Sequence, residues 1–240
     1  MSDAIEVDRT GYYSHVRNEI APLLPSRARR ILDVGSGVGG TSAWLRARYP
    51  GCWTIALEGN PAAAAELSRN VDEMHIVDLN QPLPDLGSVD LVLFLDVLEH
   101  LVDASAVLAR ITASLAPGGT VIVSLPNVAH LSVSVPLLLR GDFTYQDSGI
   151  LDRTHVRFFV RESAVALLNG AGLRVEAGLR NGFDGPRATL LDRLTFGLIR
   201  DRLSKQYILA GRRFAPGETQ GPVRWEKARP GAVSGAQAAS

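Results

Sequence analysis

The sequence predicts an α/β fold in which helices cover both faces of a mostly parallel sheet. Short aliphatic or β-branched runs alternate with helical stretches along the first two thirds of the chain, which is typical of this fold class. Glycine and proline residues mark the ends of these segments. The 240 residues, 46% of them hydrophobic, supply enough apolar material for a single large domain.

The individual elements follow from the apolar runs and the residues that bound them. The turn residues support several boundaries: Asn60 and Pro61 suit an N-cap and a first helical position, and Pro117–Gly119 ends a helix. The predicted strands are 31–34, 53–57, 74–78, 89–96, 120–126, 173–179 and 206–213. The predicted helices are 41–49, 61–70, 102–116 and 162–172.

Four parts of the chain have different expected roles. We expect residues 1–30 to form an N-terminal helical cap and residues 31–214 to form the domain itself. The connection 126–163 is unusually long, and long connections in compact domains are often binding loops or lids. Residues 215–240 are rich in Gly, Pro, Ala and Ser, so we expect a disordered tail.

Composition excludes several classes of function. Lys and Arg together number 25, as do Asp and Glu, so the chain lacks the basic excess of a nucleic-acid-binding domain. The single cysteine, Cys52, excludes an internal disulfide and a multi-cysteine zinc cluster. No apolar run approaches the ~20 residues of a membrane span, and the start of the chain lacks a signal-peptide core. We therefore expect a cytoplasmic protein without nucleic-acid or membrane partners.

A glycine-rich turn follows the first predicted strand and points to a nucleotide-like ligand. Gly35, Gly37 and Gly39 permit positive φ angles and let a ligand approach the backbone closely. With Gly40, the turn also fits the spacing of dinucleotide-binding folds, so the glycines alone leave the ligand open. Asp33, two residues before Gly35, would repel a pyrophosphate but suits a cationic amino group.

Two further acidic residues favour a cationic nucleoside ligand. Glu58 ends the second predicted strand, where it can accept hydrogen bonds from both ribose hydroxyls. Asp78 ends the third, where a carboxylate can accept from the amine of adenine. Three carboxylates around an adenosine suit a positively charged ligand.

Five ordered segments resemble a known family: Asp33–Gly39, Glu58, Val77–Asp78, Asp96–His100 and Leu115–Gly119. Together they are similar to the motifs of class I S-adenosylmethionine-dependent methyltransferases, and most similar to the small-molecule branch that includes the ubiquinone-biosynthesis O-methyltransferases. The resemblance covers roughly residues 12–180. It implies a Rossmann-like seven-stranded sheet with a reversed final strand, and S-adenosyl-L-methionine as the cofactor.

The resemblance also implies where the cofactor lies. It places the cofactor across the glycine turn, with Glu58 at the ribose and Asp78 with Leu79 at the adenine. A tyrosine of the N-terminal cap would contact the methionine end, although surface packing is an alternative. The residues that we expect to bind the cofactor are Tyr13, Asp33, Gly35, Ser36, Gly37, Gly39, Glu58, Gly59, Asp78, Leu79 and Asp96.

The segment after the fourth strand has two interpretations. The resemblance to ubiquinone-pathway enzymes suggests that Asp96, Glu99 and His100 gather a divalent cation. Alternatively, Glu99 caps the next helix and His100 packs beneath the cofactor. We favour the second interpretation and predict no metal, with His100 as a candidate general base.

The long connection 126–163 supplies the candidate acceptor site. Its polar residues lie among aliphatic and aromatic ones, which suits a polar, partly apolar acceptor. The stretch Asp152–Phe159 also resembles bacterial methyltransferases of polysaccharide and secondary-metabolite pathways. His155 is the second candidate base, with a hydrogen-bonded loop residue as the alternative. The residues that we expect to contact the acceptor are Asn127, His130, Tyr145, Asp152 and Arg157.

The sequence thus predicts transfer of a methyl group to a hydroxyl or amine of a small polar molecule. A histidine with a pKa near neutrality suits removal of a hydroxyl proton. One alternative, a nicotinamide-dependent oxidoreductase, is disfavoured because the chain has no Tyr-x-x-x-Lys relay and has lysine only at 205 and 227. The other is a noncatalytic module that binds the same cofactor. A homodimer is compatible with the sequence.

Overall fold

A single eight-stranded sheet forms the centre of the molecule. The structure, a computed structural model, describes residues 16–182 and 186–228, so Tyr13 and the start of the expected cap lie outside the described residues. The strand order is β3-β2-β1-β4-β5-β7-β6-β8. All neighbouring pairs are parallel except those of β7, which is antiparallel to both β5 and β6. The predicted doubly wound, mostly parallel sheet with a reversed strand is confirmed, but the described sheet has eight strands rather than seven, so the reversed strand β7 is not the final one.

The strands occupy most of the predicted positions. Their bounds are β1 Arg30–Val34, β2 Trp53–Glu58, β3 Glu73–Ile76, β4 Val89–Leu95, β5 Leu115–Pro126, β6 Leu173–Asn181, β7 Gln206–Arg213 and β8 Arg224–Lys227. The helices are α1 Gly40–Arg48, α2 Ala64–Asn70, α3 Ala104–Thr112, α4 Leu131–Arg140, α5 Arg161–Gly170 and α6 Pro186–Leu194. Short 3-10 turns cover Asn18–Leu23, Pro61–Ala63, Leu98–His100 and Arg200–Leu203.

Alternating side chains of the strands feed two apolar layers. Leu32 of β1 lies in the larger core with Val107 of α3 and Leu168 of α5. Its neighbour Ile31 lies in the second core, on the other face, with Leu45 of α1. This alternation follows from the period of two along a strand. Burial of both faces explains why the central strands are continuous apolar runs.

Several boundaries differ from the prediction. β3 ends at Ile76, so Asp78 follows two residues beyond the strand. β5 begins at Leu115, because the register with β4 shifts around 116–119 and a bulge replaces the expected turn. The segment 126–163 contains a helix, α4, which the sequence analysis did not predict.

The expected disordered tail is wrong for part of its length. Residues 215–228 are described, and Arg224–Lys227 pairs in parallel with β6 as an eighth strand. The ring of Trp225 packs over Gly178 of β6, where a Cβ would clash with the indole, and lies 5.6 Å from the Tyr207 ring. Residues 229–240 lie outside the described part.

The carboxyl ends of the parallel strands β1, β2, β4 and β5 meet at one edge of the sheet, where ligands bind in open α/β folds. The long connection after β5 and the segment between β6 and β7 leave the same edge. In the described ranges, no helix has the length and apolarity to cross a bilayer.

Candidate active site

The glycine turn between β1 and α1 is closely packed and depends on its glycines. Gly35, Gly37 and Gly39 have φ angles of 68°, 57° and 82°, a region that favours glycine. A Cβ on Gly35 would overlap Cγ2 of Val97, which follows β4. The turn therefore lies directly against the end of β4, at the edge of the sheet. We call its backbone, residues 35–39, the glycine cradle.

Glu58 fixes this turn to the end of β2. It is 7% exposed. Its Oε2 accepts a hydrogen bond from the Gly37 amide, and its Oε1 accepts one from the Asn60 amide, both at 2.8 Å. A carboxylate oxygen has capacity for a further donor. The geometry is compatible with the expected contact to a ribose, and it adds a structural role that the sequence analysis did not predict.

Asp33 places a second carboxylate beneath the turn. It is 3% exposed and accepts a hydrogen bond from the Ser42 hydroxyl at 2.7 Å. Burial raises the pKa of Asp33 to about 6; the Ser42 hydrogen bond opposes this effect, and the nearby charge of Glu58 adds to it. Two buried carboxylates make the surroundings of the turn favourable for a cation.

Ser36 provides an unused polar group in the same turn. Its hydroxyl oxygen is buried and has no hydrogen-bond partner among residues 16–182 and 186–228. Buried polar groups in native structures are nearly always paired. An unpaired hydroxyl in a cradle of glycine backbone fits a site that is completed by a polar ligand such as S-adenosylmethionine.

The expected adenine end of the site contains an exposed carboxylate. Oδ1 of Asp78 accepts hydrogen bonds from the backbone and side-chain nitrogens of Asn80, both at 2.8 Å. These bonds lower the pKa of Asp78, so the group is ionised and remains an acceptor. Leu79 packs against the larger core, and its carbonyl accepts a hydrogen bond from Arg110. Gly59 is exposed directly after β2.

Asp96 is held by side chains that the sequence analysis did not connect with it. Its carboxylate pairs with Arg17 and accepts hydrogen bonds from Ser124 at 2.7 Å and Gln206 at 2.5 Å. Its φ of 60° is in the left-handed region, which is uncommon for a residue other than glycine. No local pattern links Arg17 to a residue 79 positions away. The expected cofactor contact of Asp96 stays a prediction.

The structure brings the two candidate bases together. The rings of His100 and His155 lie edge to face, with centroids 4.8 Å apart. Nδ1 of His100 lies 3.2 Å from the carbonyl oxygen of Thr154. Nδ1 of His155 lies 3.1 Å from that of Ile150. Burial lowers the pKa of His100, and the proximity of a second imidazole, His155, lowers it further, so His100 is neutral at pH 7.

Glu99 lies beside this pair and is 1% exposed. Within the described part of the chain, its Oε2 has no hydrogen-bond partner, and burial raises the pKa of its carboxyl well above the ordinary value. Ligand atoms of Glu99, His100 and His155 lie within 4.8 Å of one another, a spacing that could hold a metal ion. The resemblance implied Asp96 in place of His155. In the structure Asp96 is paired with Arg17, and His155 is the third member of the set.

The backbone of the long connection docks onto the same place. The amides of Val156 and Arg157 both donate to the carbonyl oxygen of Glu99, at 2.9 and 3.1 Å. The Arg157 guanidinium donates to the carbonyl oxygens of Leu101 and Val102. These contacts fix His155 beside His100. They also give Arg157 a structural role in addition to the acceptor contact that we expected.

One expected acceptor residue has a different role. Asn127 is fully buried, and its side-chain nitrogen donates to the carbonyl oxygens of Asp201 and Ser204, both at 2.7 Å. Its side-chain oxygen accepts the Ala129 amide. Every polar atom of its side chain is used inside the protein, so the acceptor assignment of Asn127 is corrected to a structural one.

The other expected acceptor residues lie on the surface of the connection. His130 caps α4 through Nδ1, which accepts the Ser132 amide. Asp152 accepts hydrogen bonds from the backbone and hydroxyl of Thr154. Tyr145 is 48% exposed, and its ring lies 6.3 Å from that of Phe158, which in turn lies 6.4 Å from the His155 ring. Aromatic rings thus extend from the histidine pair to the surface.

Comparisons with known proteins identify the family. A model of the methyltransferase domain family matches residues 6–177. Methyltransferase str2 of Strobilurus tenacellus is 30% identical over 120 residues, which cover 50% of this chain and 43% of the relative. Trans-aconitate 2-methyltransferase of Methylobacterium nodulans is 34% identical over 105 residues, 41% of this chain and 38% of the relative. The chain therefore spans less than half the length of these curated relatives.

Solved structures agree with the fold. An S-adenosylmethionine-dependent methyltransferase of Mesorhizobium loti superposes with a TM-score of 0.56 at 18% identity, covering 81% of this chain and 95% of that one. The mitomycin 7-O-methyltransferase MmcR gives a TM-score of 0.55 at 23% identity, with coverage of 82% and 52%. Because the matched family model covers more than half of the chain, the chain belongs to the methyltransferase domain family.

Proposed function

We propose that this protein transfers a methyl group from S-adenosylmethionine to a hydroxyl or amine of a small polar molecule, such as a secondary metabolite or a sugar. The observation that carries the proposal is the pairing of His100 and His155 beside the end of β4, against which the glycine turn packs. The cradle and the candidate bases therefore belong to one edge of the sheet.

The cofactor would be held by the turn Gly35–Gly39 and the carboxylates around it. Glu58 and Gly59 would bind the ribose end, and Asp78 with Leu79 the adenine. Asp33 and Asp96 would lie toward the positively charged end, with Tyr13 as a further expected contact. When bound, S-adenosylmethionine supplies an electrophilic methyl group on a sulfonium sulfur. Because the electrophile is already activated, the protein's main tasks are alignment and exclusion of water.

The histidine pair is suited to accept a proton from an acceptor hydroxyl. Nδ1 of each ring faces a carbonyl oxygen, and Nδ1 of His100 also lies 3.1 Å from the Thr154 hydroxyl. In the neutral tautomer in which Nδ1 donates to the carbonyl oxygen, Nε2 carries the lone pair. The lowered pKa of His100 keeps that lone pair free at pH 7. For an amine acceptor, Asp152 on the same connection would instead attract the protonated precursor.

The connection 126–163 would cover and orient the acceptor. Its backbone is fixed to the end of β4 through the Glu99 carbonyl. The rings of Phe158 and Tyr145 offer an apolar surface next to His155. His130, Asp152 and Arg157 would supply polar contacts. The acceptor would therefore combine an apolar body with a polar reacting group.

The proposal is tested by measuring formation of S-adenosylhomocysteine with a panel of phenols, sugars and amines. We expect turnover with at least one class. His155→Gln and His100→Gln should then be compared with His75→Gln, a control at the distant edge strand β3, where His75 bonds Glu73. Loss of a general base lowers turnover by about 10²–10⁴-fold, and cofactor affinity should be unchanged. A variant with full turnover removes its residue from the mechanism.

Two other outcomes would contradict the proposal itself. Binding of S-adenosylmethionine without turnover on any acceptor would favour the noncatalytic module. Absence of binding by well-folded protein would remove the cofactor assignment together with the reaction.

A further inference from the structure

Exposed apolar side chains are concentrated in two segments of the molecule. In the described ranges, all of the large exposed hydrophobic residues but Trp53, Ile76 and Val102 lie there. The first segment contains α4 and its continuation, and the second contains α6 and the turn after it. The residues are Val135, Leu137, Leu138, Leu139, Tyr145, Val156, Leu190, Leu191, Leu194, Phe196 and Leu198. Apolar patches of this kind mark interaction surfaces.

Both segments leave the sheet side by side. Gln206, the first residue of β7, pairs with Pro126 at the end of β5 and with Asn181 at the end of β6. The helix α4 follows the first of these strands, and α6 follows the second. Asn127 links the two connections through its hydrogen bonds to the carbonyls of Asp201 and Ser204. The two segments therefore begin side by side at the edge that carries the candidate active site.

The turn after α6 presents its apolar residues in a strained but ordered form. Phe196 has a φ of 50° and is 93% exposed, and Leu198 is 87% exposed. A bulky residue in the left-handed region is an outlier. Hydrogen bonds from the Gly197 amide to Asp192 and from the Leu198 amide to Thr195 hold the turn. Water makes no interaction with an exposed Phe ring that would offset this backbone strain. An apolar environment would stabilise these side chains.

The same segment is positively charged. Residues 186–205 contain five basic side chains and two acidic ones. The acidic side chains are paired: Asp192 lies 2.9 Å from Arg200, and Asp201 lies 2.6 Å from Arg161 and 2.9 Å from Arg180 of other elements. The basic residues are Arg187, Arg193, Arg200, Arg202 and Lys205.

We propose that α6 and the following turn seat this protein on an anionic lipid surface, with Phe196 and Leu198 entering the boundary between headgroups and acyl chains. Apolar residues combined with basic ones are the pattern of an interfacial helix. A second copy of the chain fits less well, because a symmetric contact would bring together two segments with the same net positive charge. The proposal concerns surface attachment, not a membrane span, and it departs from the expectation of no membrane partner. It does not rest on the proposed methyl transfer.

The test is co-sedimentation of the full chain with lipid vesicles. We expect binding to vesicles that contain phosphatidylglycerol, weaker binding to pure phosphatidylcholine, and a decrease with salt, because exposed charges are screened. Phe196→Ser with Leu198→Ser should weaken binding at least tenfold. Trp53→Ser is the matched control, since Trp53 is an exposed apolar residue at the start of β2, on the opposite edge of the sheet. Arg193→Gln with Arg202→Gln should remove the preference for the anionic lipid.

Three results would overturn the proposal. One is absence of binding to anionic vesicles by protein that still binds S-adenosylmethionine or retains its circular dichroism. Another is equal binding by the serine double variant and the Trp53 control. The third is a dimer in lipid-free solution that the Phe196→Ser and Leu198→Ser changes dissociate, which would assign the surface to a second copy of the chain.

Discussion

The ionised carboxylate of Asp33 destabilises the folded state, and we expect it to interact with the positively charged cofactor. Its pKa is about 6 in the fold against an ordinary value of 3.8, because burial disfavours the charged form. Since one pKa unit corresponds to ~1.36 kcal/mol, ionised Asp33 lowers the free energy of unfolding by about 3 kcal/mol. The folded state binds the proton more tightly, so this cost is nearly absent at pH 4, develops as pH rises, and is complete above pH 6 to 7.

The change Asp33→Asn removes the charge and keeps an acceptor for the Ser42 hydroxyl. We expect the free energy of unfolding at pH 8 to rise by about 1–3 kcal/mol, because the buried amide hydrogens offset part of the gain. The difference should fade as pH falls toward 4. Denaturant unfolding at both pH values measures it. Ser42→Ala is the matched control: it removes a hydrogen bond to the ionised form, so it should destabilise the protein by about 1 kcal/mol, mainly at high pH.

The same Asp33 variant should lose cofactor affinity while it gains stability. A charge-assisted interaction contributes about 1.5–3 kcal/mol, so calorimetry should detect binding of S-adenosylmethionine weakened by about 10-fold or more. A variant that is destabilised equally at pH 4 and pH 8 would refute the burial argument. Unchanged affinity would refute the assignment to the cofactor.

Three further predictions concern the same edge of the sheet. Glu58→Gln weakens two hydrogen bonds to backbone amides and removes a charge, so the cofactor should bind about 10-fold more weakly by calorimetry; unaltered affinity would contradict the ribose assignment. Gly35→Ala should lower the free energy of unfolding by about 1–3 kcal/mol. Adding Val97→Ala removes the clashing methyl and should restore part of this loss. If stability is not restored, the strain lies in the backbone alone. Treatment with a chelator should leave turnover intact, whereas a loss that a divalent cation restores would make Glu99 a metal ligand.

The central strands were predictable because their signal is local. A strand buried on both faces is a continuous apolar run, and the runs of β1, β4 and β7 are bounded by turn or polar residues. β8 carries no such signal. It has four residues with only Trp225 as an apolar anchor, and its pairing partner β6 lies far away in sequence. Backbone pairing with β6 and the packing of that ring over Gly178 and against Tyr207 place it.

The placement of the glycine turn, Glu58 and Asp78 at one edge of the sheet was predictable for a different reason. The glycine turn, Glu58 and Asp78 follow successive strands, and parallel topology brings strand ends to a common edge. The contact of Arg17 with Asp96 depends on how the N-terminal segment crosses that edge, which no periodicity encodes. No periodicity encodes the contact of His155 with His100 either, because it depends on the two amides after His155 that donate to the Glu99 carbonyl oxygen. Asn127 was misassigned because a polar residue after a strand can equally serve as an internal tie.

The order of the last strands has a consequence for dividing the chain. The family match ends at residue 177, inside β6, yet β7 inserts between β5 and β6 and joins them. A fragment cut at that boundary would leave β5 and half of β6 with bare backbone amides and carbonyls, the arrangement from which intermolecular sheets grow. The smallest self-contained folding unit therefore extends through β7. Strand β8, with Trp225 as its anchor, pairs with the outer edge of β6.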